Sequence, residues 1–243
     1  SFTKYFVKTV DAFVTMSDKV LADLKVFAPK KPAKLVAHPL YDNFGEKISK
    51  DAARDHLGID RNEKILLFFG FIRKYKGLDI LFGVMKILKD KMNSTPLAKC
   101  KLLVAGEFYE DRKQYDEQIR SLGIEEQLIL RTDFIPDSEV KYYLCAADVV
   151  VQPYRNATQS GVTPLAYHFE VPMIVTNVGG LPDLVPDNKV GLVAAPNAEA
   201  IADKVIEYFE KGADHFIPGL KTEKQRFSWS VMTQTILELA QSV

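Results

Sequence analysis

The chain has 243 residues, more than one ordinary domain of ~100–150 but not clearly two, and its 47% apolar and 26% charged residues are those of a globular protein. Its 32 basic and 32 acidic residues cancel, which argues against a general affinity for nucleic acid, and no apolar run approaches the ~20 residues of a membrane span. Cys100 and Cys145 sit in apolar surroundings and are expected to be reduced and buried; neither they nor the four histidines show metal-ligand spacing.

Residues 2–10 place Phe2, Tyr5 and Phe6 at helical spacing, and Ala12 to Met16 is a short β-prone run. Ser17 is the expected cap of a helix through about Phe27, broken by Pro29-Lys30-Lys31-Pro32; Leu35 to Ala37 reads as a further strand, ended by His38-Pro39. This strand–helix–strand unit is too small to bury its own core. Because the chain starts inside patterned sequence, residues 1–43 are expected to be the tail of a preceding domain plus a connector. Phe2, Tyr5, Phe6, Phe13 and Val14 should then leave an apolar patch exposed.

From residue 44 strands and helices alternate. Ser49 caps a helix stopped by Gly58, and Lys64 to Phe69 is nearly all apolar, as a strand buried on both faces should be. Helix is expected at 78–91, strand at 101–105, helix at 113–122, strand at 128–131, helix at 138–146 and strand at 149–151. A helix with Val162, Leu165, Ala166 and Phe169 on one side follows. Strand at 173–175, a single helical turn at 181–185, strand at 190–193 and helix at 198–210 complete the alternation. The last helix, 230–240, follows Trp229, which reads as a packing anchor. Such alternation predicts an α/β fold, a doubly wound parallel sheet of about six strands between Lys64 and Val193.

A sheet of this kind places ligands at the carboxyl ends of its strands, so the loops that follow strands hold the candidate site. After the first comes 70–77, where Gly70 and Gly77 bracket Arg73, Lys74 and Lys76; after the second comes Gly106-Glu107; after the third, residues 132–137 with Phe134. After the fourth comes Pro153 to Gly161, carrying Asn156, Thr158, Gln159, Ser160 and Gly161 into the helix that Val162 opens. A helix start presents unpaired backbone N–H groups and partial positive charge, which suits a phosphate. Facing it, Arg73 and Lys76 would form a diphosphate clamp, although singly Lys74 and Lys76 also read as solvated surface charges and the helix as any capped helix.

FFGFIRKYKGLDIL, LLVAGE, FIPDSEVKYYLCAADVVVQPY and VPMIVTNVGGLPDLV, in this order and spacing, resemble the carboxyl-terminal domain of a GT-B glycosyltransferase of family 4 (group 1), over about Lys34 to Gln241. The resemblance implies two Rossmann-like domains facing across a cleft, this chain holding the nucleotide-sugar-binding one. It divides the chain into the end of the amino-terminal domain and connector (1–43), the donor-binding domain (44–227) and a carboxyl-terminal helix crossing back to the absent domain (228–243).

Residue by residue, the resemblance implies the following. Lys76 matches the family's diphosphate lysine; the family's arginine position holds Phe71, with Arg73 two places later. Ala157 and Leu165 stand where the family carries two glutamates, for the transferred sugar and the ribose, so the ribose would be held from Asn156, Gln159 or Glu107. The implied activity is retaining transfer of a hexose from a UDP- or GDP-sugar to a hydroxyl acceptor, sugar or lipid-linked. No metal or resident cofactor is implied, the nucleotide-sugar being a substrate. The nucleobase would lie against the Thr132 to Pro136 loop. The missing amino-terminal domain would be a partner, nucleic acid would not, and the setting would be cytoplasmic, with peripheral contact at the inner membrane surface through the parent protein. The missing glutamates keep a non-catalytic nucleotide-sugar-binding or scaffold relative open, and so does another GT-B enzyme such as a nucleotide-sugar epimerase or glycogen-synthase-like polymerase.

Overall fold

The computed structural model describes residues 2–41, 43–91, 95, 97, 100–157 and 160–242, apart from the side chains of residues 2–4. In chain order the elements begin with α1 (Phe2–Thr9), β1 (Phe13–Thr15), α2 (Asp18–Phe27), β2 (Ala33–Leu35), α3 (Lys50–Leu57) and β3 (Lys64–Phe69). They continue with α4 (Leu78–Lys91), β4 (Cys100–Ala105), α5 (Lys113–Leu122), β5 (Leu128–Arg131), α6 (Asp137–Ala146) and β6 (Val149–Gln152). The last are α7 (Val162–His168), β7 (Met173–Thr176), α8 (Leu181–Leu184), β8 (Gly191–Ala194), α9 (Ala198–Lys211), α10 (Ile217–Glu223) and α11 (Trp229–Gln241). These residues form two compact units, Ser1–Leu40 with Glu223–Val243, and Tyr41–Thr222.

The smaller unit is built on a two-stranded parallel sheet, β1 beside β2. The second strand lies at Ala33–Leu35 rather than at the expected 35–37, because its register is set by β1: Phe13 N–H donates to Pro32 O and Val36 N–H to Thr15 O, bracketing the pair. Ser17 caps α2 as expected, its hydroxyl accepting from Val20 N–H at 3.3 Å. Tyr5 and Phe6 are exposed and Phe13 and Val14 half-buried, while the Phe2 side chain lies outside those described. Trp229 does not bury its ring: it is 57% exposed, and its indole Nε1 donates to Leu40 O at 3.2 Å, so it holds by a hydrogen bond rather than by packing.

In the larger unit the described strands make a six-stranded, wholly parallel sheet in the order β5-β4-β3-β6-β7-β8. Both faces are covered. Leu66, Phe68, Leu102, Val104, Val149 and Val151 pack with α4, α5 and α9, and the alternate residues Ile65, Leu67, Leu103 and Val150 are equally buried on the other face. Cys100 and Cys145 are free and buried, and burial pushes the Cys100 thiol up to about 12. The hydrophobic spacing does not mark α10, where Pro218 and Gly219 interrupt the pattern. Burial of Phe216 and Leu220 forms it nonetheless.

One charged side chain is built into this core. Arg54, 3% exposed on α3, donates from Nε to Ala146 O (3.0 Å), from Nη1 to Arg61 O (2.7 Å) and Glu63 O (3.0 Å), and from Nη2 to Asp148 Oδ2 (2.9 Å). Asp148 Oδ2 also accepts the Ile65 N–H at 2.7 Å. The pair thereby joins α3 to the starts of β3 and β6. Replacing Arg54 by Ala removes a donor from three carbonyls and leaves Asp148 only the more exposed Lys50 as a charged partner, at 2.6 Å. A destabilisation of roughly 3–5 kcal/mol is expected, measured as a shift of the denaturant midpoint at unchanged slope.

Candidate functional site

The strand order reverses between β3 and β6: from β3 the chain winds outward through β4 and β5, then returns to β6 and winds the other way. The loops after these two neighbours diverge and open a crevice, the general ligand position of open α/β sheets. A cavity of about 290 Å³ lies there, lined by loop residues from four successive strands. From the β3 loop come Gly70, Phe71 and Lys76, from the β4 loop Gly106 and Glu107, from the β5 loop Phe134 and Ile135, and from the β6 side Gly161, Val162 and Leu165.

Its floor is made by two glycines. A Cβ on Gly106 (φ +138°) would stand 2.4 Å from Gly70 O, so the chain ends of β3 and β4 can approach only with glycine at 106. A Cβ on Gly70 would stand 3.3 Å from Lys76 Nζ and 3.7 Å from a Val162 methyl, so both side chains lie directly over the Gly70 backbone.

Lys76 is the charged centre of the cavity. It ends a single 3-10 turn, Lys74–Lys76, and is only 9% exposed. Among the described residues no carboxylate pairs with it; its Nζ lies 5.8 Å from the Tyr154 ring centroid. Burial, and secondarily the charge of Arg73, lowers its pKa from 10.5 to about 8. An ammonium held from water without a paired carboxylate is electrostatically suited to an anion.

The β6–α7 loop is held by polar groups turned inward. Ser160 Oγ donates to Gln152 Oε1 at 2.6 Å and accepts from Val162 N–H at 3.2 Å, and Thr163 Oγ1 donates to the same Gln152 oxygen at 3.1 Å. Thr176 Oγ1 donates to Tyr154 O at 2.6 Å. The Ser160 hydroxyl and the Val162 amide are thus already engaged with each other, and Gly161 is the residue this loop turns to the cavity. A second brace is the bidentate pair of Arg155 with Asp79 (2.7 and 2.6 Å), with Arg155 Nη1 also on Lys74 O at 3.0 Å; it ties the β6 loop to the β3 loop.

Of the residues the sequence singles out, Gly70, Lys76, Gly106, Glu107, Phe134, Gly161 and Val162 share this cavity. Arg73 stands outside the lining, its guanidinium 5.0 Å over the Tyr109 ring, and Asn156 is exposed outside it. Thr158 and Gln159 lie outside the described residues. Sequence reasoning misses Phe44, Asp137 and the Arg155–Asp79 brace. Asp137 in the first turn of α6 carries a visible signal, an acid at a helix start, but one shared by any capped helix.

A parallel sheet wound on both sides, with its cavity at the switch point and a lysine-bearing loop after the central strand, is the layout of a GT-B glycosyltransferase domain. The chain belongs to the family of glycosyl transferases group 1, whose model matches residues 49–222. It is similar to the D-inositol 3-phosphate glycosyltransferase of Corynebacterium aurimucosum, 27% identical over 186 residues covering 74% of this chain and 43% of that protein. The enzyme of that name from Corynebacterium urealyticum is 26% identical over 98% of this chain and 58% of its own length, so the chain spans about half of these relatives. In fold it resembles Anabaena Alr3699/HepE, solved in complex with UDP, with a TM-score of 0.80 at 19% identity over 97% of this chain and 65% of that one.

The buried ammonium sets a stability test. Its folded pKa lies below the unfolded value, so the penalty is fully present below pH 8 and is relieved as pH rises from about 8 to 10.5. Lys76→Met removes it. The ligand-free variant should be more stable than the parent at pH 7 by up to roughly 3 kcal/mol, at about 1.4 kcal/mol per pKa unit, and the gain should shrink toward pH 10. Denaturant titrations at the two pH values measure it.

Proposed function

We propose that the protein containing this chain transfers a hexose from a UDP- or GDP-sugar to a hydroxyl acceptor with retention, and that this chain holds the donor. The observation that carries the reading is the buried Lys76, which no carboxylate pairs with among the described residues, at the switch point of a group 1 domain. The UDP complex of Alr3699/HepE, a protein of the same fold, supports a nucleoside diphosphate as the anion. In the transfer, the bond between the anomeric carbon and the diphosphate oxygen breaks with its electron pair staying on the diphosphate, while the acceptor hydroxyl oxygen bonds the anomeric carbon on the same face and its proton passes to the departing diphosphate. Lys76 meets that charge from a partly dry pocket, where a fixed cation is worth far more than in water, and Gly161 brings backbone alongside. No protein nucleophile is needed for this step.

The ribose is held differently from what the family resemblance implies. Leu165 lines the cavity and Ala157 is buried, and neither can accept a hydroxyl. Glu107 and Asp137 bring carboxylates to the same lining, and we assign the ribose to Glu107. The acceptor, a sugar or lipid-linked sugar, would meet the donor from the amino-terminal domain of the parent, at the cytoplasmic face of the inner membrane. Among the described residues no helix is long and apolar enough to cross a membrane. A binding protein without transfer activity is the second reading, favoured by the two missing glutamates.

Calorimetry with UDP and GDP tests the donor site. Lys76→Ala should weaken diphosphate binding at least about tenfold, the effect of roughly 1.4 kcal/mol. Wild-type affinity should itself fall as pH rises above about 8, where the free lysine loses its proton. Unchanged affinity in Lys76→Ala would end the donor-site reading.

If Glu107 holds the ribose, 2′-deoxy-UDP should bind less tightly than UDP to the wild type, and Glu107→Gln should bind the two alike. Binding without turnover in the full-length parent would favour the second reading.

A further inference from the structure

Beside the cavity, the β3 and β4 chains stay paired after the sheet proper has ended. Ile72 and Phe108 form a parallel bridge in which Ile72 N–H donates to Glu107 O at 2.8 Å and Tyr109 N–H to Ile72 O at 3.1 Å. Arg73 is also extended (φ −138°, ψ 147°), and Glu110 Oε1 accepts the Lys74 N–H at 2.7 Å, so the two loops are latched together on both sides of the bridge. Along an extended chain successive side chains alternate. Ile72 goes into the core and Phe108 packs on it, which turns Phe71, Arg73 and Tyr109 outward.

Outward, these three make one surface. The Phe71 and Tyr109 rings meet with centroids 4.4 Å apart at 59°, and the Arg73 guanidinium lies 5.0 Å over the Tyr109 ring. Both rings remain about half exposed, Phe71 at 45% and Tyr109 at 54%. No carboxylate pairs with Arg73 among the described residues, and its charge is felt at Lys76. Phe71 itself lines the Lys76 cavity, so the surface is continuous with it.

The geometry points to Phe71, Tyr109 and Arg73 as a subsite for a sugar ring that carries an acidic group. Paired aromatic rings at a cavity mouth fit the apolar C–H face of a pyranose. A guanidinium held over an aromatic ring, with no carboxylate paired to it among the described residues, fits a carboxylate or phosphate on that ring. A neutral hexose would leave this exposed guanidinium to solvent. The inference rests on the donor-pocket reading only in taking Lys76 as the diphosphate end. The acidic sugar could be the one attached to the nucleotide or one presented as acceptor, and the probes separate the two.

The test compares acidic with neutral probes on the whole chain: UDP-glucuronic acid against UDP-glucose, and methyl glucuronide against methyl glucoside added to chain already loaded with UDP. In one of the two comparisons the acidic probe should bind about tenfold more tightly, as one charged hydrogen bond provides. A donor sugar shows in the first comparison and an acceptor in the second. That ratio should fall toward unity in Arg73→Gln; absolute affinity should drop in Tyr109→Ala and be kept in Tyr109→Phe. Because the Arg73 readout is a ratio within one variant, a general loss of stability does not imitate it.

Equal binding of acidic and neutral probes in both comparisons overturns the subsite, as does an advantage that survives Arg73→Gln. Protection of Phe71 and Tyr109 ring signals by uridine alone would make the surface a base-stacking site and also overturn it. If UDP does not bind at all, the donor reading fails. The glycoside pair on the free chain then decides the subsite by itself, equal binding overturning it.

Discussion

The backbones of β3 and β4 meet at Gly70 and Gly106 more closely than side chains permit, and the site depends on that approach. A methyl group at 106 would run into the Gly70 carbonyl at 2.4 Å. With glycine there, Gly70 N–H reaches Ala105 O and Gly106 N–H reaches Arg131 O at 2.8 and 2.9 Å, so the ladder runs without a gap into the loops. Those loops leave the sheet as a joined pair, and the cavity floor, the Lys76 turn and the aromatic surface are all hung from them. A close backbone contact thus decides where the charges and rings of the site stand.

Around that floor the protein uses buried polar groups as fixings. Gln152 is 1% exposed, and its oxygen gathers Ser160 and Thr163, while its Nε2 has no partner among the described residues. Left unpaired, such a group costs about 1–3 kcal/mol, so the loop is held at some expense. Arg155 and Asp79 tie the β6 loop to the β3 loop and α4 with a bidentate pair that is partly exposed, which contributes orientation more than stability. Lys76 follows the same pattern: burial and the nearby charge of Arg73 disfavour its ammonium in the free chain. Stability is given up at the groups that would be in place for the proposed donor.

Much of the fold was legible beforehand. Continuous apolar runs such as KILLFF, alternating with helical stripes, can be satisfied only by a parallel sheet covered on both faces, and the six strands lie within a residue or two of the expected runs. Local caps were equally readable, Ser17 and Ser49 both accepting the backbone N–H three residues on. Where the reading slipped, long-range pairing or packing was the cause. β2 took its register from β1, α10 formed over Phe216 and Leu220, and Trp229 found a carbonyl instead of a pocket.

For the site, the residue types and their loops were set by the sequence alone, because the carboxyl end of a parallel strand is known once the strand is known. Gly70, Lys76, Gly106 and Gly161 could be named from that rule and from their chemistry. What only the tertiary structure decided is which of them face the same space. Lys76 lies over the Gly70 backbone at the end of its 3-10 turn, Ser160 turns inward because Gln152 is there to accept it, and Arg73 lies on Tyr109 because the strands stay paired past Gly106. Each outcome depends on a partner at least eight residues away or on another strand, except that of Lys76, which depends on a local turn. Periodicity reports only which face of an element is apolar; it carries no record of the neighbour that will stand opposite.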